Sequence, residues 1–172
     1  MLGISRPRLT AVTSAAVVAA VAALAFAVTA SAKSPVLHRV SAGGPDACIA
    51  FGADHPGCNA NYSLVAIQYA DGTVKGQYTD QFGHGNGGFH ATVDCLSVVG
   101  NNAWIGGVIT SGTWPGVPNA VGRRVVTRVQ DNGNSAKDPP DKISYSFLSN
   151  VSCTTNFAAA LLDAPWGQVK VS

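Results

Sequence analysis

The densest group of potential metal ligands lies in a polar loop in the second half of the sequence. Five oxygen-bearing side chains fall within eleven positions: Asp131, Asn132, Asn134, Asp138 and Asp141. Calcium prefers such hard oxygen ligands, although the spacing is not that of an EF-hand loop. The structural alternative is that Asn132-Gly133 forms a turn and that Asp141 caps or hydrogen-bonds a turn after Pro140. The loop is therefore a candidate calcium site with a structural alternative.

A second group of polar side chains belongs to the segment 89–95. If this segment is a strand, His90, Thr92 and Asp94 share one face. His90 and Asp94 then lie about 13 Å apart, too far to bind one metal ion without a bend in the strand. His84 precedes them in a glycine-rich loop from which it can approach either residue. We treat His90, Thr92 and Asp94 as a candidate functional face. The alternative is an exposed histidine beside a polar cross-strand neighbour.

Several enzyme classes lack support in the sequence. There is no G-x-S-x-G motif and hence no sign of a nucleophile elbow. All nine acidic residues are Asp, and the absence of Glu weakens a paired-carboxylate glycosidase. No catalytic residue is predicted, and no cofactor apart from the candidate calcium.

The first 32 residues have the pattern of a secretory signal peptide. Arg6 and Arg8 form a basic start, residues 9–29 are uncharged and largely apolar, and Ala30 and Ala32 form an A-x-A cleavage site. We predict cleavage after Ala32 and a secreted, extracellular protein. The alternative is a retained membrane anchor, because the apolar run is long enough to span a bilayer.

Cleavage would leave 140 residues, a length that suits one domain with one core. Nine Lys and Arg balance nine Asp in this mature chain, so its formal net charge is zero. A neutral chain gives no indication of nucleic acid or of an anionic membrane as partner.

All four cysteines lie in the exported part of the chain, at Cys48, Cys58, Cys95 and Cys153. An even number in an oxidising compartment indicates two disulfides, and the sequence alone permits three pairings. We predict Cys48–Cys58, closing a short loop, and Cys95–Cys153, joining two strands. The cysteine and histidine spacing does not fit a zinc site.

Alternating apolar residues from Tyr62 to Ser149 predict an antiparallel β-domain. Asp71-Gly72 favours a hairpin with a type I′ turn, and Gly100-Asn101-Asn102 marks a second hairpin over residues 89–110. In its first strand Phe89, Ala91, Val93 and Cys95 are expected to share the core face. Gly106-Gly107 in its second strand indicates a bulge or a close backbone approach.

The predicted fold is all-β, an antiparallel meander of about seven or eight strands forming a sandwich or a barrel, preceded by a signal helix. The expected division is a signal peptide over residues 1–32, a leader and disulfide loop over 33–60, and the β-domain over 61–172. At most one short helix is expected after Cys153.

Four stretches together point to a known type of domain: "FHATVDCL", "VVGNNA", "VQDNG" and "DPPDKISYSF". They resemble a small all-β domain of bacterial secreted or surface-anchored proteins of the actinobacterial type, whose function is unassigned. The resemblance spans roughly residues 60–150. It implies an antiparallel β-domain outside the cell and carries over no catalytic residue.

Three functions are compatible with these patterns. We expect a secreted, non-enzymatic binding or structural module, with an extracellular protein or glycan as partner. The first alternative is a carrier that holds a small ligand inside a closed barrel, lined by some of the three Trp and four Tyr. The second is a small extracellular enzyme of unrecognised class. An interior cavity of ligand size would distinguish the carrier from the module.

Overall fold

The computed structural model describes residues 33–45, 60–83, 86–135, 137–164 and 167–172. The predicted signal peptide, Cys48, Cys58, His84 and Trp166 lie outside the described residues, and so does the predicted Cys48–Cys58 disulfide. Within them no helix is long and apolar enough to cross a membrane.

The described chain is all-β and antiparallel, as predicted, and forms one curled, half-barrel sheet. The sheet order is β10-β1-β2-β3-β4-β5-β6-β7-β9, with β8 paired to β6. Seven strands, β1 to β7, follow one another in both sequence and space, so most of the sheet is the predicted meander. The strands are β1 (Val36–Pro45), β2 (Asn61–Tyr69), β3 (Val74–Gln81), β4 (Gly88–Val99), β5 (Asn102–Gly112), β6 (Arg124–Gln130), β7 (Lys142–Ser144), β8 (Phe147–Leu148), β9 (Leu161–Asp163) and β10 (Gln168–Val171).

The strand β1 corrects the expectation that residues 33–60 are a leader outside the β-domain. Residues Val36–Pro45 pair with β2 along their whole length and with β10 from Val40 to Gly43. Gly43, Gly44 and Pro45 are residue types that favour turns, but they form the last part of this strand. The strand is stabilised by its two neighbours, which overrides the local preference of these residues for turns.

The first predicted hairpin is present, but its turn is not of type I′. The loop contains Ala70, Asp71 and Gly72, and only Gly72 has a positive φ, at 83°. Gly72 N–H donates to the Tyr69 carbonyl at 2.9 Å, which is the pattern of a type I turn followed by a left-handed glycine. The Asp71 carboxylate completes the loop by accepting the Thr73 N–H at 2.9 Å and the Thr73 hydroxyl at 2.6 Å.

The second predicted hairpin joins β4 and β5 and contains the predicted irregularity. Val93 pairs with Gly107 and Cys95 with Gly106, so Asp94 is an extra residue in β4. A Cβ atom on Gly107 would lie only 2.5 Å from the Thr92 carbonyl oxygen, and glycine is therefore needed at this close approach. The bulge shifts the alternation by one residue, and Leu96 rather than Cys95 follows Val93 in the core. The prediction that Cys95 shares the core face is wrong for this reason.

The core lies on the inner, concave face of the sheet. Its buried apolar side chains form one contiguous cluster, to which all the strands from β1 to β7 and also β10 contribute. The largest members that are at most 2% exposed include Leu64, Phe89, Ile105 and Ile109. Burial of apolar side chains of this size stabilises a fold by roughly 1.5–3 kcal/mol each.

A segment after β8 covers part of the outer face, and we call residues 149–160 the covering segment. It contains a single 3-10 turn, which begins at Cys153 itself and ends at Thr155. The predicted Cys95–Cys153 disulfide is confirmed and fixes this turn against β4, with the two Cα atoms 6.0 Å apart. The indole N–H of Trp104 donates to the Phe157 carbonyl at 2.8 Å. Trp104 is consequently only 7% exposed although it lies on the outer face.

Candidate functional site

Two carboxylates of the predicted calcium loop bind backbone amides of β10. Asp141 Oδ2 accepts the Val169 N–H at 2.6 Å, and Asp131 Oδ2 accepts the Val171 N–H at 2.9 Å. Backbone N–H groups of a strand point alternately to its two neighbours. Ser172 exchanges hydrogen bonds with Arg39 of β1, so the N–H groups of Val171 and Val169 point away from β1. The carboxylates thus accept hydrogen bonds from N–H groups that would otherwise pair with the carbonyls of an adjacent strand.

The other oxygens of the same two carboxylates stabilise the start of the loop. Asp141 Oδ1 accepts the Asn132 N–H at 2.8 Å, and Asp131 Oδ1 accepts the Gly133 N–H at 3.1 Å. Both side chains are nearly buried, Asp141 being 8% exposed and Asp131 10%. Side chains therefore link the two ends of the curled sheet, β10 on one side and the segment between β6 and β7 on the other.

The remaining members of the predicted calcium set also make hydrogen bonds within or beside the loop. Asp138 Oδ2 accepts the Ser135 N–H at 2.9 Å, and the Asn132 amide donates to the Pro140 carbonyl at 2.7 Å. The described residues contain no group of three His, Cys, Asp or Glu arranged to hold a metal ion. These contacts agree with the structural alternative, a loop organised by its own hydrogen bonds, and calcium binding stays a prediction.

The candidate face of His90, Thr92 and Asp94 lies on the outer side of β4, with all three residues exposed as the alternation predicts. Each end of the face has its own partner on a neighbouring strand. His90 Nδ1 is 2.9 Å from Thr79 Oγ1 of β3. Asp94 accepts two hydrogen bonds from Arg124 of β6, at 2.7 and 2.9 Å. The structure therefore does not bring His90 and Asp94 together as an acid–base or metal-binding pair.

The Asp94–Arg124 pair is bidentate but open to solvent. The hydrogen bonds from Arg124 to Asp94, together with the negative charge, raise the pKa of Arg124 above its ordinary value. The two side chains are 45% and 30% exposed, so water and salt screen the attraction. A pair of this kind typically contributes between about 0 and 1 kcal/mol.

A buried polar network on the inner face was not anticipated from the sequence. Asp80 Oδ2 accepts hydrogen bonds from Tyr78 at 3.0 Å and from Ser146 at 2.5 Å, and the Tyr78 and Ser146 hydroxyls contact each other. Asp80 is only 4% exposed. Residues two apart in a strand share one face, so Asp80 lies on the same face of β3 as Tyr78. This spacing was the sequence signal that could have revealed the network. The network links β3 to the segment between β7 and β8.

An open groove of about 970 Å³ lies where the two ends of the curled sheet meet. Its floor consists of β10, β1 and β2, and its wall is formed by residues 133–135 and 138–141. The outward-facing floor residues are Ser41, Gly43, Ser63, Val65, Gln168 and Lys170. Lys170 Nζ reaches across to Asn134 Oδ1 at 3.4 Å and lies 4.0 Å from Asp131 Oδ2. Sequence reasoning missed this groove, apart from the loop residues that it had assigned to calcium.

Comparison with known proteins adds no relative to this description. No protein-family model matches the chain, and neither a curated protein nor a solved structure is significantly similar to it. The resemblance to secreted actinobacterial domains therefore stays a prediction.

Proposed function

We propose that this protein is a secreted, non-enzymatic β-domain that acts as a binding or structural module at or outside the cell surface. In this proposal the curled sheet is a scaffold whose functional surfaces face outwards. The observation that carries it is the packing of the inner face. Large apolar side chains from successive strands pack there into one cluster, whereas polar side chains line the outer face and the groove.

The packed inner face favours a module over a carrier of small ligands. A carrier holds its ligand in a mostly apolar cavity of about 300–1,000 Å³. In this chain Leu64, Phe89 and Ile109 from three different strands occupy the position where such a ligand would sit, each at most 2% exposed. Phe89 also contacts Tyr78, Phe82 and Trp114 through its ring. Of the aromatic residues that suggested a ligand pocket, Tyr62 and Tyr78 belong to the core and Trp114 packs against it.

The polar groups also favour a module over an enzyme. A catalytic acid or base needs access to a substrate and a partner that tunes its reactivity. Asp94 is neutralised by Arg124, while Asp80 is buried beneath its Tyr78 and Ser146 hydrogen bonds. Asp131 and Asp141 are occupied by backbone amides. Each of these four carboxylates thus has an evident structural use.

The proposed extracellular location has support from the cysteines. Disulfides persist in oxidising compartments and are rare in the cytosol. Cys95 and Cys153 are joined, and both follow the predicted cleavage site.

Export is tested by expressing the whole chain in a bacterial host and sequencing the N-terminus of the protein recovered outside the cytosol. We expect it to begin at Lys33. A matched variant, Ala32→Lys, should accumulate as the uncleaved precursor because a small residue is needed at the cleavage site. Recovery of the unaltered chain only from the cytosol would contradict the proposal.

The packed interior is tested by titrating the folded chain with an apolar fluorescent dye such as anilinonaphthalene sulfonate. We expect no saturable one-to-one binding. A Phe89→Ala variant titrated with benzene is the control for an opened interior, because removing one buried ring leaves an apolar cavity of about the size of benzene. Tight stoichiometric binding by the unaltered protein would instead indicate a carrier.

A further inference from the structure

The groove at the junction of the sheet ends has the size of a ligand-binding site and a polar lining. Its volume of about 970 Å³ lies at the upper end of the range of small-molecule sites, about 300–1,000 Å³. Three strands supply the floor, so the side chains on it are held by backbone ladders rather than by a mobile loop. A site built on strands keeps its geometry better than one built on loops.

The floor is a regular polar surface with a depression at its centre. Gly43 pairs with Gln168 on one side and with Ser63 on the other, while Ser41 pairs with Lys170 and Val65. Adjacent strands lie about 4.8 Å apart, so hydroxyl, amide and ammonium groups recur at a spacing of that order. Because Gly43 has no side chain, the space between Gln168 and Ser63 is open to a ligand.

The wall of the groove is pre-organised by its own contacts. Asp138 accepts the Ser135 N–H, Ser135 Oγ accepts the Lys137 N–H at 3.2 Å, and Asn132 binds the Pro140 carbonyl. Pro139 and Pro140 restrict the backbone further and present apolar rings to the groove. A wall that is already ordered loses little conformational entropy when a ligand binds.

The chemistry of the lining suits a neutral, polyhydroxylated ligand. Ser and Gln side chains both donate and accept hydrogen bonds, and so do sugar hydroxyls. Val65 and the two prolines offer apolar surface for the C–H faces of a sugar ring. Asp138 and Asp141 line the groove together with Lys170, whose ammonium group also lies 4.0 Å from Asp131, so the groove has no excess of positive charge for an anionic ligand.

The lining disfavours an extended peptide. Peptides commonly bind by adding a strand to an exposed sheet edge, where backbone hydrogen bonds supply the affinity. The edge beside this groove belongs to β10, and its Val169 and Val171 N–H groups already donate to Asp141 and Asp131. An incoming strand would have to displace two carboxylates that are nearly buried.

We propose that this groove is a binding site for a neutral oligosaccharide, held by Ser41, Ser63 and Gln168 on the floor and by the loop after Gly133 on the wall. This inference rests on the proposed function, since it names the ligand class of a non-enzymatic extracellular module.

The test is a nuclear magnetic resonance titration of the folded chain with four sets of probes at millimolar concentration. The neutral probes are maltotriose, cellotriose and chitotriose; the others are a trigalacturonate, an uncharged hexapeptide and the apolar dye used for the interior. We expect at least one neutral trisaccharide to shift the amide signals of Ser63 and Gln168 and to remain chemically unchanged.

Variants locate the site. Gln168→Ala should weaken binding of that trisaccharide about ten-fold, the usual effect of removing a hydrogen-bonding side chain from a polar site. Gly43→Val should abolish binding by filling the depression, and a Cβ atom at this position would approach nothing closer than 3.4 Å, so the fold should tolerate it. Gln77→Ala is the control, because Gln77 is exposed on β3 and does not line the groove.

Each outcome is decisive. Shifts caused only by the trigalacturonate or only by the hexapeptide would overturn the assignment of the ligand class, and no shift of the groove signals with any of the saccharides or with the hexapeptide would overturn the site. Dye binding inside the sheet would instead overturn the proposed module. Cleavage of the trisaccharide would also overturn that function while leaving the site in place, so the two failures are distinguishable.

Discussion

The Asp141 carboxylate accepts the backbone N–H of Val169 at 2.6 Å, across 28 residues of sequence. Its second oxygen accepts the N–H of Asn132, so one side chain connects β10 to the loop after β6. In most sheets an outward-pointing strand N–H is paired with the carbonyl of another strand or left to solvent. Here a charged side chain replaces that carbonyl, and Asp131 repeats the arrangement at Val171.

We expect Asp141→Asn to lower the free energy of unfolding by about 2–3 kcal/mol, because a hydrogen bond to a charged group contributes about 1.5–3 kcal/mol. An amide has only one acceptor atom, and its NH₂ group would face a backbone donor. Denaturant unfolding measures the loss. Asp163→Asn is the control: Asp163 is exposed and pairs with Lys142, so its loss should be about 1 kcal/mol or less. Equal stability of Asp141→Asn and the unaltered chain would contradict the structural use of this carboxylate.

Residues on the two faces of β4 should differ sharply in their tolerance of substitution. Val93→Asp buries a carboxylate at a position that is 1% exposed, and we expect a loss of several kcal/mol. That loss approaches the whole stability of a typical domain, about 5–15 kcal/mol. His90→Ala removes only an exposed hydrogen bond to Thr79 and should change stability by about 0.5 kcal/mol. Thermal melts of both variants measure the two losses of stability. A larger loss for His90→Ala than for Val93→Asp would refute the assignment of Val93 to the core face.

Removing the Cys95–Cys153 disulfide should destabilise the domain and loosen the covering segment. The bond spans 58 residues, for which the chain-entropy relation gives about 4 kcal/mol. In the double variant Cys95→Ser/Cys153→Ser we also expect faster hydrogen exchange at the Trp104 indole N–H, which the covering segment protects. Cys48→Ser/Cys58→Ser should cost less, because the predicted loop is short. A non-reduced digest that joined Cys95 to Cys48 or Cys58 would contradict the pairing.

The Asp71 carboxyl should titrate below its ordinary value of 3.8. The hydrogen bonds from the Thr73 hydroxyl and N–H favour the charged form and lower its pKa. Since the folded pKa is the lower one, this contribution to stability is present above about pH 3.8 and is lost as the pH falls through the folded pKa. A carboxyl-detected magnetic resonance titration measures the midpoint, and Thr73→Val should move it upwards. A midpoint at or above 3.8 in the unaltered chain would show that the turn lacks these hydrogen bonds.

The parts of the fold that could be predicted are those encoded in local alternation. Val93 and His90 were assigned to the correct faces because successive side chains of a strand point to opposite faces of the sheet. Cys95 was assigned to the wrong face because a bulge breaks this period, and Gly106-Gly107 opposite indicated an irregularity without locating the extra residue in β4. The disulfide could still be predicted, since its pairing did not depend on which face Cys95 occupies.

The candidate site could be predicted only in part. The exposure of His90 and Asp94 follows from the sequence. Their separate partners, Thr79 for His90 and Arg124 for Asp94, depend on strands that pair over long distances in the sequence. The groove unites Ser41, Asn134 and Gln168, which are far apart in the chain. Such residues meet only when β1 lies between β2 and β10, and no local pattern encodes that order. The oxygen-rich loop was noticed for its composition, whereas its contacts with β10 required the three-dimensional structure.

The pairing of β1 with β10 also sets the order in which the chain can fold. Val40 lies opposite Val171 in the β1–β10 ladder, so the first and last described strands are neighbours in the sheet. Contacts between the two ends of a chain raise its contact order, and high contact order slows folding. A chain emerging from the ribosome cannot complete this sheet until residues 168–171 have been synthesised. Until then one edge of β1 has no partner strand, and the sheet is incomplete along it.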